Sequence, residues 1–158
     1  MRRAALLLCS LALLSLASAE TGSALSFPNP CSIVPSAVVG KAFGLASAPS
    51  GVKSTEPGGA AAETLPLCTF THGTTIMKIT IGPKAEVNGG SGGAPGMVRV
   101  KPTGLGSTAS EAYDHSASIQ FTDVTFVKGP YWVSVWANGG VPTSKAVALA
   151  KSVYAAVA

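Results

Sequence analysis

The chain has 158 residues, a formal net charge of +4 and a charged fraction of only 11%. Its lysines and arginines are scattered, and no basic patch carries the stacking aromatics that a nucleic-acid-binding surface needs, so no nucleic-acid partner is expected. The length suits a single domain preceded by a leader.

The first nineteen residues have the pattern of a secretory signal peptide. The segment MRRAALLLCSLALLSLASAE starts with two arginines, continues with an apolar run and ends with the small residues Ala-Ser-Ala at 17–19. The run is shorter than the roughly 20 residues that a bilayer span needs. We therefore expect cleavage after Ala19. The mature chain would be secreted or associated with the cell envelope, with no stable membrane span, and would begin with a tether over residues 20–30.

Cleavage would leave two of the three cysteines, because Cys9 lies in the leader while Cys31 and Cys68 do not. An even number of cysteines in an exported chain predicts a disulfide, with two free thiols as the alternative. Two cysteines and two distant histidines offer no cluster of metal ligands, so neither a metal nor another cofactor is expected.

Residues 31–158 are predicted to form a single globular domain. A short helix is expected from Pro35 to Phe43, because apolar residues share one helical face and Gly44 suits the C-cap. Residues 45–64 are rich in glycine, proline and serine and are predicted to be a loop. Residues 65–72 and 75–81 alternate in polarity around His72-Gly73-Thr74, which predicts a β-hairpin.

The second half of the chain contains further predicted strands and the clearest helix. Strands are expected at 97–101, at 118–127 with a bend, and at 131–137, and one helical turn is expected near 110–113. The last helix, capped by Thr143 or Ser144, turns Ala146, Leu149 and Val153 inward. One helix near each end predicts an α+β fold: an antiparallel sheet of about five strands, with a short N-terminal helix and a C-terminal helix packed on it.

Three sequence motifs imitate catalytic sites, but each lacks its structural context. Ser91 lies in GGSGG, yet no helix follows it, as a nucleophile elbow requires. The segment GLGSTA at 104–109 lacks the long helix that follows a dinucleotide-binding loop. Asp114 and His115 are adjacent and point in opposite directions on an extended chain, while His72 lies near a turn. No catalytic residue is predicted, and the protein is not expected to be an enzyme.

The candidate ligand contacts are Trp132 and Trp136, which share one face of the predicted strand YWVSVWA. That face either packs beneath the terminal helix or forms an aromatic platform for an apolar or carbohydrate ligand.

Three segments resemble a family of small exported proteins and lipoproteins of actinobacteria that has no assigned function. They are NPCSIVPSAVVGKAFG, LPLCTF, and the stretch from TGLGSTASEAY through VKGPYWVSVWANGG to SKAVALAKSVYAAV. The resemblance implies a compact α+β domain, an antiparallel sheet and a Cys31–Cys68 bridge, and it treats Gly104 and Gly106 as turn residues. The chain lacks the lipidated cysteine of the lipoprotein members, which favours release or loose association with the wall.

These observations predict an exported, non-catalytic binding or interaction domain of the cell envelope or the extracellular space. Its partner would be an extracellular protein, a lipid or a wall glycan. Two alternatives remain: a small secreted hydrolase built around Ser91 or a histidine pair, and a secreted protease inhibitor that presents the 45–64 loop.

Overall fold

The fold is an antiparallel sheet with helices on one side. The computed structural model describes residues 26–47, 49–59, 64–85, 98–114 and 120–157. For Arg99 it describes the backbone only. The helices in this part of the chain are α1 (Pro30–Ile33), α2 (Ser36–Phe43) and α3 (Thr143–Ala156). The strands are β1 (Gly51–Pro57), β2 (Thr64–His72), β3 (Thr75–Pro83), β4 (Val98–Val100), β5 (Ser110–Asp114), β6 (Phe121–Lys128) and β7 (Tyr131–Asn138). The α+β class is therefore as predicted.

The sheet consists of two meanders that meet at its centre. The strand order is β1-β2-β3-β7-β6-β5-β4, and every pairing is antiparallel. Strands β1 to β3 form one meander and β4 to β7 form the other. The two are joined where β3 pairs with β7, with Ile79 opposite Val135. The two halves of the chain therefore share one continuous sheet.

The described residues form seven strands rather than the predicted five or so, and β1 is the first addition. Residues 45–64 were expected to be a loop because they show no alternation of polarity, but Gly51–Pro57 pairs along its whole length with β2. Six of its seven residues are exposed. A strand at the sheet edge has little buried surface, so it lacks the period-2 pattern on which the prediction depends.

The second addition is β5, where a helical turn was expected near residues 110–113. Ser110–Asp114 instead pairs with β6 on one side, and β4 pairs with part of it on the other. Both Glu111 and Asp114 are buried in this strand. Pairing with neighbouring strands thus overrides a sequence whose local preference is helical. The predicted bent strand is realised as the continuous β6, while residues 115–119 lie outside the described part.

One face of the sheet and the helices enclose the hydrophobic core. Alternate residues of the central strands point into it, and helix α3 contacts β6 and β7 while α2 lies against α3. The wholly buried side chains of this core include Phe70, Met77, Ile79, Ile81, Val124, Phe126, Val133, Val135, Leu149 and Val153. The prediction that α3 turns Ala146, Leu149 and Val153 inward is confirmed.

The N-terminal helices are fixed to the sheet by the predicted disulfide. Cys31 lies in α1 and Cys68 in the middle of β2, and their sulfurs are bonded with the Cα atoms 5.1 Å apart. Helix α1 begins at Pro30, inside the expected tether, because the Asn29 side chain accepts a hydrogen bond from the Cys31 N–H at 3.1 Å. Helix α2 ends at Gly44, whose φ of 67° is the left-handed conformation expected of a glycine C-cap.

Strand β1 begins with a glycine because the bridge leaves no room for a side chain. A Cβ atom at Gly51 would lie 2.8 Å from the Cys68 sulfur and 2.8 Å from a ring carbon of Phe70. Real Cβ atoms do not approach other heavy atoms so closely. The edge strand can therefore pass close to the disulfide only with glycine at this position.

Lysine side chains satisfy carbonyl groups at the ends of the helices. Lys145 donates to the Phe43 carbonyl at 3.2 Å, and Lys128 donates to the Tyr154 carbonyl at 2.7 Å. The last carbonyls of a helix lack partners within it and carry partial negative charge, so a cation stabilises them. At its other end, α3 starts directly after Pro142 with no side-chain cap bond, so the prediction of a Thr143 or Ser144 cap is wrong.

The described helices are short. The longest, α3, has 14 residues, and none of those described has both the length and the apolar character needed to cross a membrane.

Candidate functional site

The two tryptophans lie on the sheet face opposite the helices. In β7, Val133, Val135 and Ala137 are wholly buried in the core, and residues of a strand alternate between its two faces. Trp132 and Trp136 therefore point away from α3, and both are half-buried. The alternative in which they pack beneath the terminal helix is wrong, because the smaller valines and the alanine occupy that side.

A cation and a carboxylate flank Trp136 in one row across three strands. Lys78 of β3 and Asp123 of β6 are its directly paired neighbours. The Lys78 Nζ lies 5.3 Å from the centre of the indole ring, within the range of a cation–π interaction. We call the surface formed by Trp132, Trp136, Lys78, Asp123 and Thr125 the tryptophan face. All five of these side chains are half-buried.

A row of hydroxyl groups separates the two indoles. Ser134 lies between the tryptophans in β7 and is paired with Thr80 on one side and Thr125 on the other. The Ser134 hydroxyl donates to Asp123 Oδ1 at 2.7 Å, and the Thr125 hydroxyl donates to the Ser110 carbonyl at 3.4 Å. Ser134 is buried and Thr125 is half-buried, so it is the Thr125 oxygen that presents lone pairs rather than a donor at this surface.

Trp132 has a different environment from Trp136. Its paired neighbours are Gly82, which has no side chain, and Val127. A cross-strand tryptophan next to a glycine covers backbone that the glycine leaves bare, which gives it a structural role. The two ends of the tryptophan face therefore differ: one is apolar, and the other carries a cation and a carboxylate.

A hydrogen bond across β2 continues this face toward β1. Glu56 of β1 accepts from the Thr80 hydroxyl at 2.7 Å. Since Glu56 is paired with Leu65, and Leu67 with Thr80, the carboxylate side chain passes over the leucines of β2. Both leucines are buried on this side of the sheet, with exposures of 4% and 6%. The edge strand is thus tied to the sheet by a side chain as well as by its backbone.

The residues considered for catalysis are not brought together in the described part of the chain. His72 is exposed at the tip of the β2–β3 hairpin. Asp114 is buried in β5, four strands away, which corresponds to about 19 Å at the usual strand spacing. Ser91 and His115 lie outside the described residues. Among the residues described, no group of three or more histidines, cysteines, aspartates or glutamates is arranged to hold a metal ion.

The glycines of the GLGSTA segment form a turn, as the family resemblance implies. Gly104 and Gly106 have φ angles of 80° and 86°, and Leu105 between them is wholly buried. The strand β5 follows them, whereas a dinucleotide-binding loop opens a helix. The segment therefore anchors the approach to β5 rather than binding a nucleotide.

A shallow groove lies on the helical side of the described structure. It has a volume of about 470 Å³ and is lined by Val38, Lys41, Ala42, Ala148 and Ser152, between α2 and α3. Among the described residues, its lining offers a single charged group and no aromatic ring. The tryptophan face offers aromatic, charged and hydroxyl groups in register, so it is the stronger candidate site.

The sequence patterns identified the tryptophans but not their neighbours. Lys78, Asp123 and Thr125 belong to strands that come beside β7 only through the sheet pairing, and no motif marks them. A period-2 pattern does show that Asp123 and Thr125 share a face of β6. The missing information was which strands are adjacent.

Comparison with known proteins gives no match from which the role of the site could be inferred. No family model matches the chain, and no curated protein or solved structure is similar to it.

Proposed function

We propose that this protein is an exported, non-catalytic binding domain of the cell envelope or the extracellular space, and that the tryptophan face contacts its ligand. The observation that carries this proposal is the position of Trp132 and Trp136, the only two tryptophans of the chain, on one half-buried face away from the helices. Large aromatic side chains with polar neighbours are typical of ligand sites.

The disulfide supports the export of the chain. Cys31 and Cys68 are bonded, and such bonds persist in oxidising compartments but are rare in the cytosol. The leader pattern at residues 1–19 and the resemblance to small exported actinobacterial proteins point the same way, although residues 1–25 lie outside the described part. The lack of a lipidated cysteine at the cleavage site favours a released or loosely wall-associated protein.

The tryptophan face itself supports binding rather than catalysis. The Ser134 hydroxyl donates to Asp123, so this carboxylate orients a serine instead of activating a histidine. Among the described residues, no histidine belongs to the face. The hydrolase alternative rests on Ser91 or on the histidine pair His72 and His115, and it stays a prediction because Ser91 and His115 lie outside the described residues. The inhibitor alternative loses much of its basis, because residues 51–57 of the presumed loop are paired in β1.

Two experiments test the proposal. The full-length chain, expressed with its own leader, should yield an extracellular or envelope-associated product whose N-terminal sequence begins at Glu20. A cytosolic product that retains Met1 would contradict export. The mature protein should change its tryptophan emission when mixed with cell-wall fragments, lipids or culture proteins. Turnover of ester, peptide or glycoside substrates that is lost in Ser91→Ala would contradict a non-catalytic role.

A further inference from the structure

We infer that the tryptophan face binds an extended, electrically neutral glycan chain that lies along β7. This inference rests on the proposed binding function and names the class of ligand. It follows from three features of the face: the spacing of its indoles, the chemistry between them, and the distribution of charge.

The spacing of the indoles requires a ligand longer than one sugar ring. Trp132 and Trp136 are four residues apart in one strand, which separates their Cα atoms by about 13 Å at the usual rise of an antiparallel strand. A single pyranose ring is too small to contact both. An oligosaccharide in extended form reaches both indoles and presents an apolar ring face to each of them.

The surface between the indoles suits a polyhydroxylated ligand and not a hydrocarbon chain. Thr125 lies in the middle of the face beside the buried Ser134, and the hydroxyl protons of both residues are already donated, to Ser110 and to Asp123 respectively. The half-buried Thr125 oxygen and Asp123 carboxylate can accept hydrogen bonds, and sugar hydroxyls supply donors. An acyl chain placed here would cover these oxygens without offering a partner, which costs free energy.

The distribution of charge favours a neutral glycan. Lys78 and Asp123 lie on opposite sides of Trp136, so among the described residues the charged end of the face contains one cation and one carboxylate. The paired neighbours of Trp132 are uncharged. A polyanionic or polycationic chain would meet a like charge at the Trp136 end, whereas a neutral chain can donate to the carboxylate and accept from the ammonium group.

The test uses the tryptophan emission of the mature protein, residues 20–158. Both tryptophans of the chain lie on the face, so the signal reports on the site directly. The probes are hexasaccharides of glucose, mannose and N-acetylglucosamine, their three monosaccharides, a hexasaccharide containing uronic acid, and vesicles of phosphatidylglycerol with phosphatidylethanolamine. We expect at least one neutral hexasaccharide to bind about tenfold or more tightly than its monosaccharide, because only the longer chain contacts both indoles.

Variants locate the binding on the face. Trp132→Ala and Trp136→Ala should each weaken binding of the neutral hexasaccharide by about tenfold or more, since truncating a central aromatic anchor has effects of this size. Tyr131→Ala is the matched control, because Tyr131 is adjacent in β7 but points to the opposite side. It should bind as the wild type does. Circular dichroism and thermal unfolding establish that each variant is folded. In addition, amide shifts of the wild type on titration should change in β3, β6 and β7 and not in α3.

The outcomes separate this inference from the proposed function. Binding of no neutral hexasaccharide overturns the inference, as does neutral binding that Trp132→Ala and Trp136→Ala leave unchanged. If the vesicles or the charged hexasaccharide bind in a tryptophan-dependent way instead, the glycan is wrong while the binding face stands. If no probe binds, the glycan inference falls. If wall fragments and culture proteins also leave the emission and the amide shifts unchanged, the proposed function falls with it.

Discussion

Removal of the disulfide gives the most direct test of how the N-terminal helices are held to the sheet. The change is Cys31→Ala combined with Cys68→Ala in the mature protein. The two residues are 37 positions apart, and releasing a loop of this length returns conformational entropy to the unfolded chain worth about 4 kcal/mol. Cys68 is wholly buried, so losing its sulfur removes core contacts worth about 1 kcal/mol. We expect the free energy of unfolding to fall by about 3–5 kcal/mol.

Urea unfolding followed by tryptophan emission measures this change. Both indoles lie on the far side of the sheet from the bridge, so they report on the unfolding of the sheet rather than on local release of α1. The slope of the free energy against urea should rise, because an unlinked chain exposes more surface when it unfolds. The wild type in the presence of a thiol reductant is the control: it keeps the buried sulfur and should be more stable than the double variant by about 1 kcal/mol, while the double variant should not respond to the reductant.

A loss below about 1 kcal/mol would refute the loop-entropy reasoning, since the predicted loss is several times larger. Two reactive thiols in denatured, unreduced wild-type protein would refute the bridge itself.

Three substitutions test other contacts through urea unfolding. Gly51→Ala should lower the free energy of unfolding by about 1–3 kcal/mol, because the added methyl group overpacks the core. The loss should be smaller in a Cys68→Ala background, where the neighbouring sulfur is absent. Equal losses in both backgrounds would contradict the expected clash between the new Cβ atom and the sulfur. Thr80→Val should lower the free energy of unfolding by about 1–3 kcal/mol, because Glu56 loses the hydroxyl that donates to it. Amide hydrogen exchange in β1 should also accelerate. Unchanged exchange would count against this hydrogen bond. Leu149→Ala should cost about 2–5 kcal/mol, and a loss under about 1 kcal/mol would be inconsistent with α3 lying on the sheet.

The elements that were predicted correctly are those that bury one face in the core and point the other face away from it. The hairpin of β2 and β3, the strand β7 and the helix α3 each turn one face to the core, so hydrophobic residues recur with the period of the element. Gly44 and the turn glycines Gly104 and Gly106 could also be predicted, because each occupies a backbone conformation that favours glycine. For these elements, local sequence and final structure agree.

The elements that were missed obtain their structure from distant partners. Strand β1 is exposed on both faces, and β5 buries the charged residues Glu111 and Asp114, so neither shows the usual alternation. The side of the sheet on which the tryptophans lie was undetermined for the same reason. The alternation in β7 groups Trp132 with Trp136, but only the placement of α3 against the valines of that strand decides which group is covered.

The position of the bridge within the strand order has a consequence for the timing of oxidation. Both cysteines belong to the first meander and its preceding helix, and the partner strands of β2 are β1 and β3. A chain that crosses a membrane N-terminus first presents both thiols, together with the β2–β3 hairpin, before any residue of the β4–β7 meander has emerged. If the chain is exported as proposed, oxidation at that stage would cross-link a small N-terminal unit and leave the edge of β3 available for pairing with β7.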